Sequence, residues 1–340
     1  MMSAGPHRRI LLIAAGLLAL GAAPCHAQKS ALDEVTMAIP AYSLTFSESF
    51  VADDLGLWAK HGLKVKSVPI TGVGSFNAVV SGSADFAQGS SITLTRAASR
   101  GQRLVTIVEM LDRIMVQIVL RKNLAEEGRF DAKAPLAERA KLLRGRTIAV
   151  ESINSIVHGY VRLLAVRAGF DPEQIKIAVL QPDAMLAAFE TKSIDGFAMS
   201  LPWPLVPVIA GTGVIVASGP DGDPADMKPF AYNILMTKRE TCEKNPALCE
   251  KIGQSFAEAA AYIQDHPAEA LAIVQKRFPN LDPKLTAAAF DVTRRSSPRV
   301  PAPTKDALLN ADNFNVDAQL MKAEDRLTTV DDLFIDKFVR

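Results

Sequence analysis

The sequence predicts an α/β protein of two doubly wound lobes joined by two crossovers, with a helical last third packed back on the first lobe. Three observations carry this expectation. Short β-rich runs alternate with helical ones over most of the chain, as in strand–helix units whose parallel sheets are covered on both faces. Ser83-Ala84-Asp85-Phe86 is echoed about 110 residues later by Ser193-Ile194-Asp195-Gly196, each after an apolar helix and before a strand ending in Ser. From Pro246 onward the apolar period turns helical. At roughly 150 residues per domain, 340 residues accommodate two cores.

The chain opens on His7, Arg8 and Arg9, then a run of 14 apolar or small residues, Ile10 to Ala23. Pro24 breaks the run, and Cys25-His26-Ala27 resembles a small-x-small cleavage site. This is the pattern of a secretory signal peptide, and a membrane anchor would need about 20 apolar residues. Cys25 as a lipid-attachment site is disfavoured, because Pro24 stands where that signal wants Gly or Ala. Cleavage after Ala27 removes two Arg and no acid, so the exported product carries a net charge of −1.

Val35–Ile39 reads as a strand and Glu48–His61 as one helix, with Val51, Leu55 and Trp58 on its apolar face and Gly62 as its stop. A strand over Leu63–Ile70 leads to the turn Gly72-Val73-Gly74-Ser75, which opens a short helix. Strand Ala84–Gln88, helix Ser91–Arg100 and strands Arg103–Glu109 and Met115–Arg121 follow. A helix near Leu136–Leu143 precedes strand Arg146–Val150, helix Ile156–Ala168, strand Ile175–Leu180, helix Met185–Glu190 and strand Ile194–Ser200. Val214–Ala217 and Tyr232–Thr237 complete the strands. Ile252–Gln264, Pro267–Arg277, Pro283–Arg294 and Lys305–Ala318 are helical by period, and Ser297–Pro303, with three Pro, is a linker or wrap.

Cys242 and Cys249 flank Asn245-Pro246. In an exported chain, two Cys this close are expected to pair. Pro246 suits a first helical position, so the bridge would tie a pre-helix loop to the first turn.

The composition excludes several functions. Thirty-eight Lys and Arg against 37 Asp and Glu give a net charge of +1, without the basic excess of a nucleic-acid binder. No phosphate-binding P-loop, G-x-S-x-G elbow or H-E-x-x-H motif is present. The mature His residues, His61, His158 and His266, are isolated, so neither metal nor cofactor is expected. Asp85 and Asp195 are read as turn residues and not as a catalytic pair.

What remains is a set of polar, small-residue loops before helices: Tyr42-Ser43-Leu44-Thr45, Gly72-Val73-Gly74-Ser75, Gly89-Ser90-Ser91 and Ser152-Ile153-Asn154-Ser155. N-capping explains any one of them. Four of them in a two-lobe α/β chain point to a binding crevice beyond the carboxyl ends of the strands. Helix N-termini there favour anionic groups without a Lys or Arg.

At these residues the chain resembles the extracytoplasmic solute-binding proteins of ABC importers, of the nitrate/sulfonate/taurine type. Phe50-Val51-Ala52-Asp53-Asp54-Leu55-Gly56-Leu57-Trp58 with His61-Gly62-Leu63-Lys64-Val65 is similar to that family's A-x-x-x-G-[FYL]-[FW]-x-x-x-G-L-x-V pattern. Gly82–Phe86, Leu143–Val150, Ser155-x-x-His158, Gly169-Phe170-Asp171 and Ile194–Phe197 leading to Pro202 extend the likeness over the mature chain. The resemblance implies a type II periplasmic-binding-protein fold: lobe 1 from residues 28–117 and 234–340, lobe 2 from 118–233. The crossovers would lie near Gln117–Val119 and Tyr232–Leu235. It implies a periplasmic, monomeric protein without catalysis, which closes on a small molecule and delivers it to a permease with its ATPase.

Carried over position by position, ligand contacts fall at Tyr42, Ser43, Thr45, Gly74, Ser75, Ser90 and Ser91 in lobe 1, and at Asn154, Ser155 and His158 in lobe 2. Trp203 would stand near the cleft mouth and Arg113 near a crossover. Glu109 and Glu151 are the candidates for a carboxylate that a taurine-type site wants. The resemblance implies a small organic or anionic solute, sulfonate-, nitrate- or taurine-like or heterocyclic; a strong anion site would favour an added Lys or Arg, and none lies within the polar loops, which leaves open a larger, weakly charged organic ligand. The Cys-rich motif of related pyrimidine synthases is absent.

Overall fold

The computed structural model describes residues 32–40 and 43–340; the leader, its cleavage site and Tyr42 lie outside the described residues. Ten strands form in chain order: β1 (Asp33–Ile39), β2 (Leu63–Pro69), β3 (Phe86–Ser90), β4 (Val105–Glu109), β5 (Val116–Arg121), β6 (Thr147–Val150), β7 (Lys176–Val179), β8 (Gly196–Ser200), β9 (Gly213–Ser218) and β10 (Asn233–Thr237). They make two five-stranded sheets, ordered β2-β1-β3-β10-β4 and β7-β6-β8-β5-β9. The helices are α1 (Ser47–Asp54), α2 (Leu57–Lys60), α3 (Gly74–Ser81), α4 (Ser91–Ser99), α5 (Lys122–Glu127), α6 (Leu136–Ala140), α7 (Ile156–Arg167), α8 (Pro182–Glu190) and α9 (Leu205–Ile209). After the last strand come α10 (Arg239–Lys244), α11 (Pro246–Asp265), α12 (Pro267–Arg277), α13 (Pro283–Ser296) and α14 (Lys305–Asp317).

Both sheets are mixed where purely parallel ones were expected. In each, one strand runs against its neighbours: β10 lies antiparallel between β3 and β4, and β5 antiparallel between β8 and β9. Each is the first strand after a crossover. The chain leaves one sheet at a carboxyl end and enters the other at the carboxyl end of its parallel strands, so the entering strand must run backwards. Asn233, the first residue of β10, therefore pairs with Ser90, the last of β3, and Val116 pairs with Ser200. The connections span residues 110–115 and 219–232. Gln117–Val119 lies within β5, and Tyr232 directly precedes β10.

The internal echo is a repeat of structure. Thr36 donates its N–H to the Asp85 carboxylate at 2.8 Å, and Asp85 N–H returns a bond to Thr36 O at 2.9 Å. In the second sheet Thr147 and Asp195 repeat both bonds, each at 2.9 Å. Arg121 adds an ion pair to Asp195 at 2.7 Å. Both carboxylates hold a strand start, as turn chemistry predicts.

The expected helix over Glu48–His61 is two helices, α1 and α2. Gly56 between them adopts φ 64°, a conformation glycine takes at little cost, and Leu55 is consequently exposed at 38% instead of joining the apolar face. Val51 and Trp58 are buried as expected, Trp58 edge-on to Phe256 of α11. Helices α5, α9 and α10 were not legible, being only five or six residues long.

The C-terminal helices cover the first lobe, α11 and α12 packing on α1. The Pro-rich wrap after α13 is tied to that lobe by two buried carboxyls. Ser297 Oγ donates to Glu48 Oε1, and Thr304 N–H donates to Glu109 Oε2 at 3.1 Å. Helix α14 touches both lobes. On the first, Asn315 Nδ2 donates to Ile92 O and Thr95 Oγ1 of α4, both at 2.9 Å. Phe314 stacks edge-on to Phe230 at 5.6 Å and fills the space over Gly159 of α7.

Cys242 and Cys249 form a disulfide with Cα atoms 5.5 Å apart. Cys242 lies inside α10, so the bridge joins two helices and not a loop to a helix. Reduction is expected to cost about 2–3 kcal/mol on the loop-entropy account, read as the loss of urea-unfolding free energy when a reductant is added. Two thiols that alkylate in native, unreduced protein would disprove the bridge.

Candidate functional site

The carboxyl ends of the two sheets face one another across a cavity of about 60 Å³. At roughly 10–15 Å³ for each water, it has room for a handful of non-hydrogen atoms. From the first sheet come Pro40 after β1, Ser43, Thr45 and Phe46, the Gly72-Val73 turn, Ser75, Gly89 and Ser90, and Thr93. From the second come Glu151, Ser155, Ile156, Val157, Met199 and Ser200, and the returning chain adds Tyr232, Asn233 and Met236. Both sheets thus contribute, and no Lys, Arg or His is among these lining residues.

Ser90 is the N-cap of α4, accepting from Ile92 N–H at 3.4 Å, and Ser155 is the N-cap of α7, accepting from His158 N–H at 3.3 Å. Ser75 sits in the first turn of α3. Three helix N-termini therefore open on the cavity, each placing positive partial charge there. Gly72 holds φ 59°, and a Cβ on it would stand 2.7 Å from Ser152 Oγ. A side chain at that position would press on Ser152 of the facing loop and strain a left-handed backbone.

The sheets are also bonded directly across the cleft. Ser43 Oγ donates to Leu201 O at 3.0 Å, and Leu44 N–H donates to the same oxygen at 3.3 Å. Arg96 of α4 donates to Asn154 O at 2.8 Å. Within the first lobe Asn233 Nδ2 donates to Thr45 O at 3.0 Å, and Ser200 Oγ at the end of β8 lies 2.6 Å from Tyr232 Oη of the returning chain.

Of the residues expected at the site, Ser43, Thr45, Ser75, Ser90 and Ser155 line the cavity. Gly74 lies one step behind it, starting α3. Ser91 is fully buried beneath it, its Oγ without a partner. Asn154 and His158 are not among the lining residues and build the loop instead. Asn154 takes φ 62° and donates its N–H to His158 Nδ1 at 3.1 Å. Burial and the Arg162 guanidinium lower the imidazole to about 4, so His158 is a neutral acceptor at this position. Arg113 is outside the cleft: it pairs with Asp112 at 2.8 Å and donates to Arg295 O at 3.3 Å. Trp203 packs edge-on to Phe278 at 6.5 Å, against the C-terminal helices, and is not among the lining residues. Of the two candidate carboxylates, Glu151 lines the cavity, and Glu109 holds the wrap instead.

Ser200, Tyr232 and Asn233 were not foreseen. The repeat carried a signal for the first, since Ser200 ends β8 as Ser90 ends β3. Tyr232 and Asn233 carry none, because only the crossover brings them to the cleft.

Residues 31–288 match the NMT1-like family. The chain belongs to that family. A Brucella abortus protein provisionally named as a binding protein is 26% identical over 232 residues, 66% of this chain and 66% of its own length, just under two thirds of either. Among solved structures, the alkanesulfonate-binding protein of Xanthomonas axonopodis pv. citri, bound to MOPS, superposes with a TM-score of 0.69 at 15% identity, over 90% of this chain and 99% of that one. The periplasmic nitrate-binding protein of Synechocystis gives 0.60 at 15%, over 88% and 92%. A desulfurization enzyme gives 0.58 at 14%, over 90% and 97%. At such identities the likeness is one of fold, and this NMT1-like chain has the periplasmic-binding-protein type II fold that binding proteins share with at least one enzyme. Among the described residues, no helix is long and apolar enough to cross a membrane.

Proposed function

We propose that this NMT1-like protein is the extracytoplasmic solute-binding component of an ABC importer. It is exported to the periplasm, holds a small organic or anionic solute between its two lobes as a monomer, and hands it to a permease coupled to an ATPase. The observation that carries the reading is the cavity at the facing carboxyl ends of the two sheets, largely apolar in its lining, to which both lobes contribute N-capping Ser residues. In open α/β sheets this is where ligands bind. The lobes meet through a few hydrogen bonds from Ser43, Leu44 and Arg96, contacts that a hinge at the two connections can break and remake.

The test is a thermal-shift screen of the mature protein against small anions, sulfonates and heterocycles, followed by calorimetric titration of the best binder. Ser90→Ala and Ser155→Ala, one from each lobe, are each expected to weaken binding by ~1–2 kcal/mol, roughly five- to thirtyfold. Wild-type affinity in both variants would remove the cleft from the argument. A loss in only one would put the solute on a single lobe and end the closing mechanism.

A further inference from the structure

Among the described residues Arg96 is the one Arg or Lys that the fold buries, at 7% exposure. A buried guanidinium is costly unless a counter-charge is buried with it. The partly buried Arg121, Arg139 and Arg162 follow that rule, pairing with Asp195, Asp223 and Glu173 at 2.7, 2.9 and 2.6 Å. Arg96 does not. Among the described residues its side chain donates only to neutral oxygens, Asn154 O at 2.8 Å across the cleft and Asn315 Oδ1 at 3.5 Å. Arg100, the C-cap of α4, brings a second positive charge to the same face of the helix. Burial lowers the Arg96 guanidinium to about 10, and repulsion from Arg100 adds to the fall.

Both arginines line a pocket of about 200 Å³ that is separate from the solute cavity. Gln102 joins them from the first lobe, Asn154 comes from the second, and Leu320 from the turn after α14. Val73 and Thr93 line this pocket and the cavity alike, so the two spaces are neighbours. No Asp or Glu is among the lining residues. The positive field is felt at His158 as well, where burial lowers the imidazole and Arg162 and Arg96 lower it further. Two guanidiniums, two side-chain amides and no acid make a lining complementary to an anion, and the planar N–H fork of Arg matches an oxyanion edge.

We propose that this pocket is a second binding site, for a free, doubly charged oxyanion of the phosphate or sulfate kind, held by Arg96 and Arg100 against Asn154 of the other lobe. Two unneutralised guanidiniums call for two negative charges, and the volume admits an ion of five heavy atoms with some of its water. The site bridges the lobes where Arg96 already bonds to Asn154 O. An ion that needs both sides in place binds the closed arrangement and favours it in return. It therefore acts as a clasp beside the solute, not as the solute. Its effect on closure rests on the hinge of the solute-binding reading; the site itself does not.

The test is calorimetric titration of the mature protein with sulfate, inorganic phosphate and nitrate at about pH 8, with ionic strength held constant by chloride. Sulfate or phosphate is expected to bind one to one, roughly tenfold or more tightly than nitrate. Arg100→Ala, on the exposed rim, and Asn154→Asp are each expected to weaken the dianion roughly tenfold. The second sets a carboxylate beside Arg96 at φ 62°, a left-handed conformation that Asp tolerates. No binding of either dianion, or nitrate bound as tightly, would overturn the proposal. So would wild-type affinity in both variants, shown folded by circular dichroism, since the ion would then sit elsewhere. Hydrogen exchange on wild type needs no variant: sulfate should slow exchange both at residues 96–102 and at residues 152–155. Slowing on α4 alone would remove the clasp. None of these results depends on a solute in the cavity, so either reading can fail without the other.

Discussion

Raising the pH from about 4.5 to about 8 is expected to destabilise the empty protein by on the order of 8 kcal/mol. Two buried carboxyls cause this. Glu48 is 1% exposed and Glu109 3%, and desolvation lifts them to about 7 and about 8 from an ordinary 4.5. A nearby Asp112 adds to the rise at Glu109, while the Ser297 and Thr304 hydrogen bonds oppose it without overcoming it. The sign is opposite to that of a salt-bridged carboxylate. Below pH 4.5 both groups are protonated whether the chain is folded or not. Between 4.5 and 8 the unfolded chain loses these protons and the folded one retains them, so unfolding becomes easier as pH rises. Urea titrations at pH 5 and pH 8.5 should show the drop, and Glu48→Gln with Glu109→Gln should remove most of it, leaving the fall due to Glu151, raised to about 7, against the opposing rise due to His158, lowered to about 4. A wild-type profile flat across that interval would show that neither carboxyl is neutral in the fold. The two groups hold the segment from Ser297 to Thr304, so hydrogen exchange there should quicken first at high pH.

Phe314→Ala is expected to cost about 3–5 kcal/mol. The ring is fully buried on α14, edge-on to Phe230 of the second crossover. It also occupies the space that a side chain at position 159 would need, for a Cβ on Gly159 would stand 2.7 Å from its Cε1. Truncation empties a site that backbone from two elements encloses and cannot readily refill. The adjacent Asn315 fastens the same helix to α4, so loosening α14 should reach both lobes. Urea unfolding measures the loss. A change below about 1 kcal/mol would mean that the cavity collapses without penalty and that α14 is not a post between the lobes.

The sequence by itself determined the ten strands, the order of units and the repeat, because each rests on local chemistry. Alternation reports a half-buried strand, the 3.6-residue period a helix, and Asp85 and Asp195 mark equivalent turns whose carboxylates bind the backbone of a neighbouring strand. It also marked five of the residues that line the cavity, Ser43, Thr45, Ser75, Ser90 and Ser155, because helix capping leaves a pattern in the chain. Even there it misjudged what the hydroxyls do. It offered them as donors to a ligand, whereas four of the five donate inward, to partners as distant as Leu201. Position 56 shows the same limit at short range, since a Gly inside a helical period does not announce which of two conformations it will take.

Tertiary structure alone decided the antiparallel strands, the exclusion of Arg113 and Trp203 from the cleft, and the arrival of Tyr232 and Asn233. All depend on where two crossovers lead the chain. Glu151 and Glu109 looked alike as candidates in the sequence, each an acid at the end of a strand. One lines the cavity with an oxygen that has no partner, and the other receives Thr304 from a segment 195 residues away. The identity of a side chain is local information, but the partner it meets is set by long-range packing.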